Sequence, residues 1–233
     1  MAPKIVITPA DRNDKRFIRC KILIVCEGEK TEPNYFKSFD MMDNKTGIVY
    51  EITNEGGGIN TIQVVEMAIK LRDAAVKEGK PYDSVWAVFD RDSFKPQNFD
   101  NAINKAESQK INVAWSNEAF ELWYIFHFCS RTTAMKRSEY KKQITNFVKK
   151  AGYKRGNTPY VYKKNDVEMR KILSFCHCSE TDAISRARQQ HQTFTGRNFN
   201  AHNPCTTVYK LVNLLIGKDA KFNDKIKEKI QTK

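Results

Sequence analysis

Lys21-Ile22-Leu23-Ile24-Val25-Cys26-Glu27-Gly28-Glu29-Lys30-Thr31-Glu32-Pro33 is an apolar run that ends abruptly in acid. A second run of the same kind follows at Ser84-Val85-Trp86-Ala87-Val88-Phe89-Asp90-Arg91-Asp92. Apolar runs bounded by polar turns read as strands buried on both faces, the kind found in parallel sheets. In open α/β sheets the chemistry collects at the carboxyl ends of the strands. Glu27, Asp90 and Asp92 would meet there if the two strands are neighbours. Clustered carboxylates repel one another and stay ionised together only when a cation neutralises them. Hard oxygen donors of this charge suit Mg²⁺ or Mn²⁺, so the pattern predicts a divalent-metal site.

Outward from these runs, strands and helices alternate. The first strand, 20–26, leads into a helix over about 32–42, with Thr31 as N-cap, Glu32 in the first turn and Pro33 among the opening positions. Gly28 leaves room in the turn, where a side chain would crowd a metal or phosphate. Residues 47–53 alternate as an exposed edge strand would, and 54–60 read as a glycine-rich loop. A helix follows to about Glu78, then a strand at 84–89, a helix over 98–109 and a strand at 111–115. This alternation predicts an α/β fold with a parallel, doubly wound sheet. Residues 118–128 read as a buried helix. Beyond Ser130 the strand signals stop, and helices are expected at 138–151, 166–177, 180–192 (capped by Ser179 or Thr181) and, last, 206–216. The expected organisation is a flexible segment, 1–19, a catalytic domain, 20–130, and a basic helical region, 131–233, packed on it.

Charge divides the same way. Residues 1–130 hold 17 Lys and Arg against 19 Asp and Glu, whereas residues 131–233 hold 23 against 8. An acidic half that holds metal beside a basic half that neutralises phosphates suits an enzyme acting on nucleic acid, DNA or RNA. No stretch approaches the ~20 uninterrupted apolar residues of a membrane span. The amino terminus lacks a signal-peptide pattern, and the cysteines lack a disulfide framework, which together predict a cytoplasmic protein. Cys176-His177-Cys178 with His191 has poor spacing for structural zinc. Gly56-Gly57-Gly58 lacks the Gly-Lys-Ser/Thr of an ATP-binding loop.

The two acidic strand ends, taken together, resemble the Toprim domain of topoisomerases, DnaG-type primases and OLD-family nucleases. In detail the chain resembles the RloB-like family of bacterial proteins linked to restriction loci and phage defence. The matching stretches are Cys26–Phe36, Phe89-Asp90-Arg91-Asp92, Ser116-Asn117-Glu118-Ala119-Phe120-Glu121-Leu122-Trp123 and Asn203-Pro204-Cys205-Thr206-Thr207-Val208. Glu118 departs from the proline and cysteine expected after Ser-Asn. The resemblance implies a Toprim-like Rossmannoid sheet and a Mg²⁺-dependent nuclease. Glu27, Asp90 and Asp92 would hold metal, with Glu27 also managing a proton; Lys30, by its place beside the acids, either stabilises a phosphoryl transition state or is merely solvated. Glu32 and Glu121 would complete a second metal site. Candidate substrate contacts are Arg91, Asn117, His127, Arg186, Arg188 and Asn203. The implied partner is a separate RloA-like ATPase, acting with the nuclease in phage defence, and a homo-oligomer remains open. Rival readings are primase-like nucleotidyl transfer, which needs a triphosphate site the sequence does not display, and a non-catalytic module binding nucleic acid or a partner. A phosphoacceptor receiver would carry a lone Asp and a Lys after 111–115, and neither condition is met.

Overall fold

The computed structural model describes residues 18–39, 42–43, 48–91 and 96–231. Asp92 and nearly all of the expected flexible segment lie outside these residues, and the helix expected over 32–42 ends early, at Lys37, with Met42 already in a strand.

Among the described residues, the central sheet has the order β2-β3-β1-β4-β5-β8. Its middle is parallel: β3 (Ile48–Gly56), β1 (Ile18–Cys26), β4 (Ser84–Asp90) and β5 (Asn112–Asn117). Two short antiparallel strands close the edges, β2 (Met42–Asp43) on β3 and β8 (Cys205–Thr206) on β5. Chain order reverses between β1 and β4, where Ile22 to Cys26 lie in register with Ser84 to Val88. Such a switch point is where doubly wound sheets bind their ligands.

Burial on both faces shows in the alternation of side chains. Cys20, Ile22, Ile24 and Cys26 pack into one core layer, with Trp86, Val88 and Ala114. Leu23 and Val25 point the other way, with Val85, Ala87, Phe89 and Trp115. Helices α2 (Thr61–Lys77) and α3 (Pro96–Ser108) cover the second face through residues such as Val64, Ala68, Phe99 and Ile103. The first face is covered by α1 (Thr31–Lys37), α4 (Glu121–Phe128), α5 (Arg137–Lys150), α6 (Met169–Phe175), α7 (Glu180–Gln192) and α8 (Val208–Leu215). Phe222 and Ile226 of α9 (Ala220–Gln231) join the same layer. No helix among the described residues is long and apolar enough to cross a membrane.

Several expectations are corrected here. Residues 47–53 do not form the edge, because β2 pairs outside β3, and β3 continues to Gly56 through half of the expected loop. Thr31 is not an N-cap. It is the first helical residue, and its hydroxyl donates instead to the Lys164 carbonyl (3.2 Å). Strand structure does not stop at Ser130: β6 (Lys154–Arg155) and β7 (Thr158–Pro159) form a hairpin, and β8 enters the sheet. Two-residue strands carry too little periodicity to register as a pattern. The helix expected last is followed by α9. By contrast, α7 occupies 180–192 as expected, and Ser179 caps it by accepting from the Asp182 amide (3.1 Å).

Candidate active site

At the switch point the chain leaves β1 into Glu27 and leaves β4 at Asp90. The Glu27 carboxylate is fixed from two sides. Thr61, opening α2, donates its hydroxyl to Oε1 (3.0 Å), and the Asp90 amide donates to Oε2 (3.0 Å). One carboxylate therefore ties the ends of two neighbouring strands to the start of a helix. A capping box made by Asn60 and Gln63 holds that helix start in place, with Gln63 N donating to Asn60 (3.1 Å) and Asn60 N to Gln63 (3.0 Å).

The glycines shape the same corner. A Cβ on Gly28 would overlap Glu32 Oε2, so its absence makes room for a carboxylate of the protein itself. Gly56, with φ +92°, leaves space for the Cys26 carbonyl. The amides of Gly57 and Gly58 then donate to the Cys26 and Glu27 carbonyls (both 2.9 Å), wrapping the end of β3 around the acidic turn.

Four buried or half-buried carboxylates, Glu27, Glu32, Asp90 and Glu121, line the resulting cleft of about 620 Å³, and the exposed Glu29 joins them. They come from the β1 turn, α1, β4 and α4, and Lys30 also lines the wall. Glu32, Asp90 and Glu121 are only 5%, 7% and 4% exposed. Burial pushes the Glu32 carboxyl up to about 7, reinforced by the charges of Glu121 and Glu27 and opposed by Lys164. Burial likewise raises Asp90 well above the usual range, reinforced by Glu32, Glu121 and Glu27 and opposed by Arg137.

Two cations from the basic half reach into this cluster. Arg137 Nη2 lies 3.6 Å from Asp90 Oδ2, and Lys164 Nζ lies 3.9 Å from Glu121 Oε1. Tyr162 donates its hydroxyl to the same Glu121 oxygen (3.1 Å). Thr61, Arg137, Tyr162 and Lys164 carried no signal in the sequence, since each is an ordinary residue type brought in by long-range packing. Glu121 stood out because an acid inside Phe120-Glu121-Leu122-Trp123 must be compensated.

The donor set has the right chemistry for a hard divalent cation. All four side chains offer carboxylate oxygen, and Mg²⁺ is commonly held by one or two carboxylates, with water and phosphate completing its shell. Among the described residues no three His, Cys, Asp or Glu side chains are already arranged to hold a metal ion.

The remaining candidates lie outside the cleft lining. Arg91 donates its amide to the Ser116 carbonyl (2.8 Å), and its Nε is buried without a partner. Asn117 Nδ2 donates to the Asn200 carbonyl (2.9 Å). His127 is held between the Trp123 carbonyl and Glu180 Oε2, both at 3.0 Å. Arg186 donates to the Phe126 and His127 carbonyls at the end of α4 (2.9 and 2.8 Å). Arg188 lies over the Tyr209 ring, 5.7 Å from its centroid. Asn203 precedes the turn into β8, where the Thr206 and Ser116 hydroxyls meet (2.8 Å) and the Thr207 amide donates to the Trp115 carbonyl (2.8 Å).

No curated protein and no solved structure matches this chain. The family model described as "RloB-like protein" matches residues 22–215, a span that includes the second half of β1, the acidic cleft, the Arg137 and Lys164 rim and β8. The match covers most of the chain, and the protein belongs to the RloB-like family.

Proposed function

We propose that the protein is a metal-dependent nuclease that hydrolyses nucleic-acid phosphodiesters in the acidic cleft. The observation that carries this reading is the convergence of Glu27, Glu32, Asp90 and Glu121 on one cleft rimmed by Arg137 and Lys164. Four buried or half-buried acids in mutual repulsion are costly to keep unless a cation joins them. When bound there, Mg²⁺ or Mn²⁺ would stabilise the negative charge that builds on a phosphate under attack. Glu27, a cleft acid oriented by both a hydroxyl and an amide, would manage the proton. Asp90 and Asp92 would hold the metal with it, as the resemblance to Toprim enzymes implies. Arg137 and Lys164 would exchange their carboxylate partners for substrate phosphate once the metal neutralises the cluster. The family resemblance extends the proposal to phage defence beside an ATPase supplied by a separate chain.

The test uses labelled DNA and RNA pools with Mg²⁺, Mn²⁺ or chelator, with and without the companion ATPase. The reading predicts chelator-sensitive cleavage that Glu27→Ala and Asp90→Ala abolish. Binding without cleavage under every condition would replace it with a non-catalytic nucleic-acid module.

A further inference from the structure

A second cavity, of about 410 Å³, opens where β4 and β5 begin, with Ser84 and Asn112 in its wall. β4 runs seven residues from Ser84 to Asp90, so this cavity sits roughly 20 Å from the acidic cleft, at the other end of the sheet. Its charges are divided unevenly. Both of its acids are already engaged: Asp83 by Lys229 and by the Lys21 amide (2.8 Å), and Asp219 by the Phe222 amide (3.0 Å) at the start of α9. Its three cations, Arg188, Lys210 and Lys225, form no ion pair with any described residue.

The three cations come from α7, α8 and α9, so they converge only because the helices pack around the hollow. Tyr209 positions one of them, with the Arg188 guanidinium 5.7 Å above its ring. Lys210, like Arg188 and Lys225, is exposed, so all three side chains can turn their charges toward a bound anion. A platform for extended polyanion would spread its cations over an open face, whereas a hollow within the ~300–1,000 Å³ range suits a small ligand.

We propose that this cavity binds a phosphate monoester, in a site separate from the acidic cleft. A free nucleotide and the 5′-phosphorylated end of a strand share that chemistry. The proposal does not depend on the hydrolytic reading of the cleft, because none of the residues involved lines it.

Equilibrium dialysis in EDTA tests it, with labelled AMP, adenosine and short oligonucleotides carrying or lacking a 5′-phosphate. AMP or the phosphorylated oligonucleotide should saturate at one per chain, while adenosine and the unphosphorylated oligonucleotide should not bind here. Arg188 is exposed, so Arg188→Gln should fold normally and weaken binding about tenfold or more, as loss of a charge-assisted contact does. Lys225→Gln, also at an exposed position, should weaken it in the same direction. Glu27→Gln should leave this affinity unchanged. Tighter binding of AMP assigns the site to a free nucleotide, and tighter binding of the phosphorylated oligonucleotide to a strand end. Absence of saturable binding, equal binding of adenosine, or affinity indifferent to both cation substitutions would overturn the proposal.

Discussion

Glu32 is a buried acid whose surroundings work against its charge, and that has a measurable consequence in the metal-free protein. Its carboxyl is raised from 4.5 to about 7 in the fold, by burial first and by Glu121 and Glu27 after it. Between those values the folded state holds a proton that the unfolded state has released, so stability must fall as pH rises through that window. Asp90, also raised, pushes in the same direction. The Glu32 effect is on the order of 3 kcal/mol. Urea denaturation in EDTA at pH 5 and pH 7.5 should show the loss, and Glu32→Gln should flatten it. Mg²⁺ should restore stability at the higher pH by taking the place of the proton. A second residue-scale prediction concerns Gly28. Gly28→Ala forces its new methyl onto the Glu32 carboxylate, so Mn²⁺ affinity, read by titration calorimetry, should drop while circular dichroism stays native. The acids at strand ends were legible in the sequence because β1 and β4 are apolar without interruption and then stop. The actual neighbour of Gly28 was not, since turn geometry decides which group occupies the space a side chain would have filled.

At the scale of elements, Glu180 joins four helices. It begins α7 and accepts from Tyr35 of α1 (2.7 Å), His127 of α4 (3.0 Å) and Arg170 of α6 (2.9 Å). Burial alone would raise its pKa, but His127, Tyr35 and Arg170 together bring it down to about 2. A carboxyl depressed in the fold contributes stability above its unfolded value, and that stability is lost as pH falls from about 4.5 towards 2. Glu180→Gln should therefore destabilise the protein at neutral pH by about 3 kcal/mol, measured by denaturant unfolding, with the deficit shrinking in acid. Because α1 carries Glu32 and α4 carries Glu121, the same substitution should also lower metal affinity. Long elements could be read from periodicity: α7 falls at its predicted bounds, and β1, β4 and β5 lie close to theirs. The elements that escaped are α9 and the two-residue strands β2, β6, β7 and β8, which exist because a partner strand is waiting. For β8 that partner is β5, and the Thr206 and Thr207 hydroxyls make its pairing more than a passing contact.

Across the whole molecule, the basic half is not simply beside the acidic one. Arg137 and Lys164 line the cleft, Tyr162 bonds its Glu121, and α5, α6, α7 and α8 share a core layer with β1 and α1. Long-range placements of this sort follow from packing of side chains more than 40 residues apart, and no local pattern encodes them. If the basic half carries nucleic acid to the cleft, binding should weaken steeply with salt. For ~4–6 phosphate contacts to duplex DNA, the log–log slope should be roughly −4 to −5. Glu121→Gln keeps the volume of the side chain and leaves those cations in place, so it should reduce cleavage sharply with little change in affinity or salt slope. The central claim, that the converging acids form a divalent-metal centre, is tested most directly by anomalous scattering from crystals soaked in Mn²⁺. The account predicts a peak in the cleft bonded to Glu27 and Asp90, with a second peak ~3.5–4 Å away if Glu32 and Glu121 complete a two-metal site. A cleft with no anomalous peak at saturating Mn²⁺, and with Arg137 and Lys164 still seated on Asp90 and Glu121, would contradict it.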